Sequence, residues 1–251
     1  MKISVITVTY NQAPVLNDCI KSVEAQSHDA VEHIVIDGAS TDDTLTLLKA
    51  KKNKIAVLVS EPDNGIYYAM NKGIKLSKGD IVGFLNSDDY YVNNEVLAKV
   101  ARIFENDPLL DACYADLIYV DKVNTSQTIR YFKSGKFIPG SFSKGWCPPH
   151  PTFFVRRSIF ERFGSFDLSY RIAADVDLMM RFLEVYKIKS FHIPEIWVKM
   201  RTGGTTNKNL KNIWLQNQEI ISAFSKNGLP VNKMIFFICK IISRSKQFFK
   251  K

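Results

Sequence analysis

The order of the apolar runs constrains this chain more than any other feature. Residues 3–8 alternate and are rich in β-branched side chains, and residues 31–36, 55–59 and 80–85 are further runs that read as strands. Helical patterns separate them. Val15, Leu16, Cys19, Ile20 and Val23 recur at helical spacing, with Pro14 suited to a first turn. Leu45, Leu47 and Leu48 follow Ser40 and Thr41, either of which can cap a helix, and residues 66–76 end at Lys78-Gly79. Strands separated by helices need crossover connections, which give parallel strands covered on both faces. The sequence therefore predicts an α/β fold with a Rossmann-like, mainly parallel central sheet flanked by helices over about the first 90 residues.

The fourth run leads straight into Asn86-Ser87-Asp88-Asp89. Acids at the carboxyl end of a strand lie where open α/β sheets bind ligands. Neighbouring carboxylates disfavour each other's charge, and a hard divalent ion such as Mg²⁺ or Mn²⁺ relieves this while leaving room for phosphate oxygens. The other reading is a turn, since Asn-Ser-Asp-Asp is good turn chemistry. Thr9 and Asn11 follow the first strand and Asp37 the second, so parallel strands would put them on one rim with Asp88 and Asp89. Neither a GxGxxG nor a GxxxxGK[ST] motif is present, which excludes the dinucleotide fingerprint and the P-loop.

The second half is less regular. Residues 112–120 read as a strand containing Asp116, which is either a functional acid or a hydrogen-bonded structural one. Residues 121–151 read as loops or a hairpin around 128–132. His150 lies between Pro149 and Pro151, just before an apolar strand, and is a structural residue or a substrate contact. A helix starts near Asp175, with Asp177 two positions on. Residues two apart on a helix face nearly opposite ways, so only one of these acids can address a cleft. Asp177 is placed to pair with Arg181 at i,i+4, and the alternative is a substrate contact. Residues 202–206 form a Gly-rich loop, 210–224 a helix, and 232–251 a basic amphipathic helix. Such a helix lies on an anionic bilayer or packs back on the core.

The net charge of +9 suits phosphate-bearing substrates, an anionic membrane surface or nucleic acid. Lys and Arg are scattered until the end of the chain, with no nucleic-acid-binding motif, so no nucleic-acid partner is expected. Cys19, Cys113, Cys147 and Cys239 lack CxxC spacing and read as reduced thiols in a cytoplasmic protein. The first residues show no signal-peptide pattern, and no apolar run reaches the roughly 18 residues of a spanning helix.

Several stretches occur together and in order: Thr7-Val8-Thr9-Tyr10-Asn11, Ile36-Asp37-Gly38-Ala39-Ser40-Thr41-Asp42, Asp63-Asn64-Gly65-Ile66-Tyr67, Asn71-Lys72-Gly73, Lys78-Gly79-Asp80 and Leu85-Asn86-Ser87-Asp88-Asp89. In this the chain resembles glycosyltransferase family 2, of the bacterial cell-surface polysaccharide type. The resemblance implies the GT-A fold, in one domain over residues 1–225 with a nucleotide-sugar half (1–110) and an acceptor half (111–225), and a C-terminal tail (226–251). It implies an enzyme that moves a sugar from a nucleoside diphosphate sugar, a UDP-sugar in particular, to an acceptor hydroxyl with inversion. The acceptor would be a glycan or polyprenyl-linked, and the protein cytoplasmic or peripheral on the inner face of the cell membrane. It implies that Asp37 contacts the nucleotide base, that Thr9, Asn11, Asn64, Lys72 and Asp88 line the donor site, and that Asp89 and Asp88 hold Mn²⁺ or Mg²⁺. Asn86 stands where many members have Asp, which makes Asp89 the expected ligand. Asp175 takes the position of the catalytic base, with Ala174 replacing the usual Glu, and the 202–206 loop that of a loop closing over the diphosphate. Asp177, Asp116 and His150 are the other candidates for the base. Two rival functions remain: a nucleotidyltransferase, which would carry a basic Gly-rich loop after the first strand, and a non-catalytic nucleotide-sugar-binding protein.

Overall fold

The computed structural model describes residues 1–203 and 210–249. The expected alternation is present: β1 (Ile3–Thr9), α1 (Ala13–Glu24), β2 (Val31–Asp37), α2 (Thr44–Ala50), β3 (Val57–Ser60), α3 (Ile66–Leu76) and β4 (Ile81–Phe84). β3 starts later than its apolar run, because a 3-10 turn, Lys52–Lys54, precedes it; Ile55 packs instead beside Leu16, Ile20 and Leu48. The chain continues through β5 (Tyr90–Tyr91), α4 (Val96–Asn106), β6 (Ala112–Val120), β7 (Thr128–Phe132), β8 (Phe154–Arg156) and α5 (Arg157–Phe163). Then come α6 (Ala174–Met180), which runs into a π-helical turn at Arg181–Val185, β9 (Ser190–Arg201), α7 (Leu210–Lys226) and α8 (Lys233–Phe249).

One sheet joins both halves in the order β3-β2-β1-β4-β8-β6-β9-β5, with β7 beside β6. β3, β2, β1 and β4 are parallel neighbours. β8 is antiparallel to both β4 and β6, so β6, and β9 parallel to it, run in the same direction as β1. Among the described residues six of the nine strands therefore run one way in a mixed sheet whose first four strands are all parallel, and the carboxyl ends of β1, β2 and β4 face one way. Thr9 is level with Asp37, and Asp37 with Ser60.

The core sits on both faces of the sheet, as parallel strands require. Ile3 and Val5 of β1 pack with Cys19, Val23, Leu97, Val100 and Phe104 of α1 and α4. Ile6 and Val8 point the other way, into a cluster with Met70 of α3 and the aromatic residues Phe84, Phe160, Phe166 and Phe182. Gly83 is required by close approach, since a Cβ there would lie 2.3 Å from the Phe154 ring of β8.

The C-terminal segment is not a detached tail. Phe236 of α8 is 1% exposed and meets Phe224 of α7 edge-on at 6.2 Å. Arg130 of β7 donates to Gln247 at 2.9 Å. A Cβ on Gly145 would lie 2.9 Å from Lys240 Cβ, which shows how closely α8 is seated. Another stripe of the same helix, Met234, Ile235, Ile238, Ile241 and Ile242, faces outward. No helix among the described residues is long and apolar enough to cross a membrane.

Candidate active site

The rim opens where β1, β2 and β4 end. Thr9 is buried there, and its Oγ1 has no hydrogen-bond partner. Asn11 adopts a left-handed conformation (φ 52°), which Asn tolerates better than most residues. Its Oδ1 accepts from the Thr41 N–H at 2.8 Å, tying the end of β1 to the loop after β2. Asp37 is fully buried, and its carboxylate accepts from the Ser40 N–H (3.1 Å), the Ser40 hydroxyl and the Ser60 hydroxyl (2.6 Å). Asp37 thus orders the loop it starts, rather than standing open as a free acceptor. Lys72 is paired with Glu61 (2.6 Å) and Asp63 (2.8 Å), and Asn64 is exposed beside that cluster.

Asp88 and Asp89 differ sharply in their surroundings. Asp89 has no exposed surface; its Oδ2 accepts from Asn86 Nδ2 at 3.3 Å and its Oδ1 has no partner. Burial and the neighbouring Asp88 charge push its carboxyl well above the usual carboxylate range. Asp88 is half-buried, so its carboxylate is the one that solvent and a ligand can reach. Burial raises it, against the pull of Arg201 and Lys122. Arg201 fixes the turn, donating to the Asp88 carbonyl at 2.7 Å and pairing with Asp18. Asp89 is thus the buried acid of the pair, with one oxygen left without a partner, and Asp88 is the rim acid.

Among the described residues no cluster of three or more His, Cys, Asp or Glu side chains is placed to hold an ion. The residues present still fit a hard divalent ion. Asp88 offers a carboxylate, the orphaned Oδ1 of Asn86 is an amide oxygen of the right hardness, and ions of this type take phosphate oxygens and waters for the rest.

Across the sheet, Asp175 stands half-buried in the first turn of α6. It and His150 line a cavity of about 10 Å³ with Phe84, Phe160, Phe166 and Met179. That is room for one water at most, so the cavity is a floor and not a sugar pocket. The His150 Nε2 has no partner; burial lowers the imidazole below its usual value while the Asp175 charge opposes this. Lys240 of α8 also feels Asp175: its amine donates to Asn217 at 2.7 Å, and burial brings it down to about 8. Tyr119 of β6 lies within electrostatic reach of both Asp89 and Asp175.

Two further candidates are structural. Asp177 is 1% exposed, pairs with Arg181 at 2.9 Å and accepts from Asn227 at 2.9 Å, which removes it as a substrate contact. Asp116 accepts from Ser134 N–H (2.9 Å) and meets His192 at 2.9 Å. The 202–206 loop lies largely outside the described residues; Thr202 and Gly203 form a turn at the end of β9.

Two residues of the site escape sequence reasoning. The Tyr67 hydroxyl lies 3.1 Å from Asp175 Oδ1 and 2.8 Å from the Ile172 carbonyl. The Glu219 carboxylate of α7 accepts from the N–H groups of Arg171 (2.9 Å), Ile172 (2.8 Å) and Ala173 (2.9 Å). Tyr67 ends one of the ordered motifs, and Glu219 is the one acid of α7, which are the only signals either residue gives.

The family described as glycosyl transferase family 2 matches residues 4–164. An uncharacterized glycosyltransferase of Mycobacterium tuberculosis is 33% identical over 186 residues, 71% of this chain and 68% of that protein. A PGL/p-HBAD biosynthesis glycosyltransferase of Mycobacterium bovis is 32% identical over 182 residues, with the same coverage of 71% and 68%. The fold is shared with S. aureus TarS 1–349 in complex with UDP-GlcNAc (TM-score 0.67, 17% identity, 99% of this chain and 73% of that one). It is shared too with a mannosyltransferase of Pyrobaculum calidifontis in complex with GDP-Man and Mn²⁺ (TM-score 0.66, 21% identity, 98% and 69%). Against a longer TarS chain the match spans 39% of that chain's length.

Proposed function

The chain belongs to glycosyl transferase family 2, and on that premise we propose that it moves a sugar from a nucleoside diphosphate sugar to an acceptor hydroxyl with inversion. The observation that carries this is the pair of acids on separate walls. Asp88 stands at the end of β4 and Asp175 in the first turn of α6, with Tyr119 in reach of Asp175 and of Asp89, the neighbour of Asp88. Direct displacement at an anomeric carbon needs one acid at the diphosphate and one base at the incoming hydroxyl. Asp175 takes the acceptor's proton as the new bond to carbon forms. Asp88, with Asn86, would hold Mn²⁺ or Mg²⁺, which when bound supplies positive charge against the diphosphate. The orphaned Thr9 hydroxyl and the loop ordered by Asn11 and Asp37 form the nucleotide side. His150 is assigned to the acceptor side on the ground that it lines one cavity with Asp175.

UDP is the nucleotide expected, and since one structure sharing the fold holds UDP-GlcNAc and another GDP-Man, both nucleotides enter the test. A role in cell-surface glycan synthesis fits the relative named for PGL/p-HBAD biosynthesis. The outward Ile stripe of α8 supports peripheral attachment to an anionic membrane. The test is nucleotide release from UDP-glucose, UDP-galactose, UDP-N-acetylglucosamine and GDP-mannose, with and without Mn²⁺. Asp175→Asn is expected to cut kcat by about 10²–10⁴, the range for a lost general base, with the donor KM little changed. Wild-type turnover in that variant rejects Asp175 as base, and no nucleoside diphosphate from any of these donors, with pyrophosphate released instead from UTP and glucose 1-phosphate, favours a nucleotidyltransferase.

A further inference from the structure

We infer that Tyr67 and Glu219 are positioning residues for Asp175, and that the Tyr67 hydroxyl serves this carboxyl group both before and after it takes a proton. The inference rests on reading Asp175 as the base.

α6 begins without help from its own sequence. Its N-cap is Ala173, with no side-chain cap, and Ala is a poor residue for that position. Glu219, from another helix, instead holds the stretch that leads into α6, gathering three successive N–H groups just ahead of Asp175. Tyr67 reaches the same segment from α3, in the nucleotide half, and its ring stacks on Phe166 at 5.4 Å. The segment that carries Asp175 is thus held by side chains from two separate helices.

A phenol has one proton to donate, and here it has two acceptors. While Asp175 is ionised, the proton points at Oδ1, since a bond to a charged oxygen is the stronger. As the acceptor hydroxyl loses its proton to the carboxylate, its oxygen supplies an electron pair for the new bond to carbon, and the carbon's bond to the diphosphate breaks with its pair leaving on the nucleoside diphosphate. Asp175 Oδ1 is then a weaker acceptor, and the Tyr67 proton turns to the Ile172 carbonyl, already at the shorter distance. In either state the Tyr67 hydroxyl keeps an acceptor, and its proton never leaves its own oxygen. Burial and the Asp175 charge push the phenol well above its usual range, so it remains a donor.

The test is a double-mutant cycle on kcat, using the donor from the panel above that is turned over fastest. Tyr67→Phe keeps the ring stack and removes only the hydroxyl. It is expected to lower kcat about tenfold, with donor KM unchanged, and to cost less than about twofold in an Asp175→Asn background. Glu219→Gln is expected to give the same split of kcat from KM. It should also speed amide hydrogen exchange at Arg171, Ile172 and Ala173, which needs no donor. Wild-type kcat in Tyr67→Phe, a full tenfold loss repeated in the Asp175→Asn background, or unchanged exchange in Glu219→Gln overturns the inference. Wild-type turnover in Asp175→Asn alone marks instead the failure of the base assignment on which it rests.

Discussion

Asp88 and Asp89 are adjacent in sequence and opposite in surroundings. One keeps exposed surface at the rim and the other has none. Asp88→Asn should weaken Mn²⁺-dependent binding of UDP by about 100-fold, judged from the loss that follows removal of groups around a metal. Asp89→Asn should stay within about threefold, because burial already disfavours its charge. Calorimetric titration of UDP with and without Mn²⁺ decides the order, and a larger loss at Asp89 restores the ranking taken from Asn86. The acids themselves were legible, since each ends a strand or opens a helix within a recognisable local pattern. Which of the pair faces outward was not, because it depends on the turn that Arg201 fixes from 113 residues away. Tyr67 and Asp175 are 108 positions apart, so their contact leaves no spacing to read.

Among elements, α8 has one docked face and one outward apolar stripe, and the isoleucine pattern in the sequence picks out the outward one. The stripe that docks is carried by Phe236, Lys240 and Gln247, a mixed set that no hydrophobic periodicity marks as core. Phe236→Ala should therefore cost about 3–5 kcal/mol of stability, as for other buried aromatic residues, measured by urea unfolding. Replacing Ile235, Ile238 and Ile242 by Ser should leave the urea midpoint unchanged and abolish sedimentation with phosphatidylglycerol vesicles. Retained sedimentation removes the stripe as a membrane contact, and an unchanged midpoint for Phe236→Ala makes the segment a loose tail after all. β9 was missed for a related reason. Pro194 interrupts its pattern, and the ladder with β6 skips from Ile193 to Ile196 around it. The first four strands, by contrast, were legible because each is a short uninterrupted run between helices.

Over the whole molecule, one buried imidazole links stability to pH. His33 of β2 is 4% exposed, meets the Thr7 hydroxyl at 3.0 Å, and is lowered by burial to about 4. Its folded value lies below the unfolded value of about 6.5, so the unfolded chain binds the extra proton between them and stability falls as pH drops through that window. Asp88 and Asp89, raised by burial, pull the other way. The comparison is therefore wild type against His33→Gln: moving from pH 7.5 to 4.5 should cost wild type about 2–3 kcal/mol more than the variant in urea unfolding. Equal losses would mean that His33 titrates freely in the folded protein. The clamp on Asp175 has a different kind of consequence. Glu219 lies 46 residues beyond the last amide it holds, Ala173. During synthesis the nucleotide half, made of local β-α units, can assemble while Glu219 is still unmade. On the reading proposed above, a nascent chain at that stage would hold its donor-side loops but no clamped base, so the residue that starts the chemistry is the last part of the site to be seated.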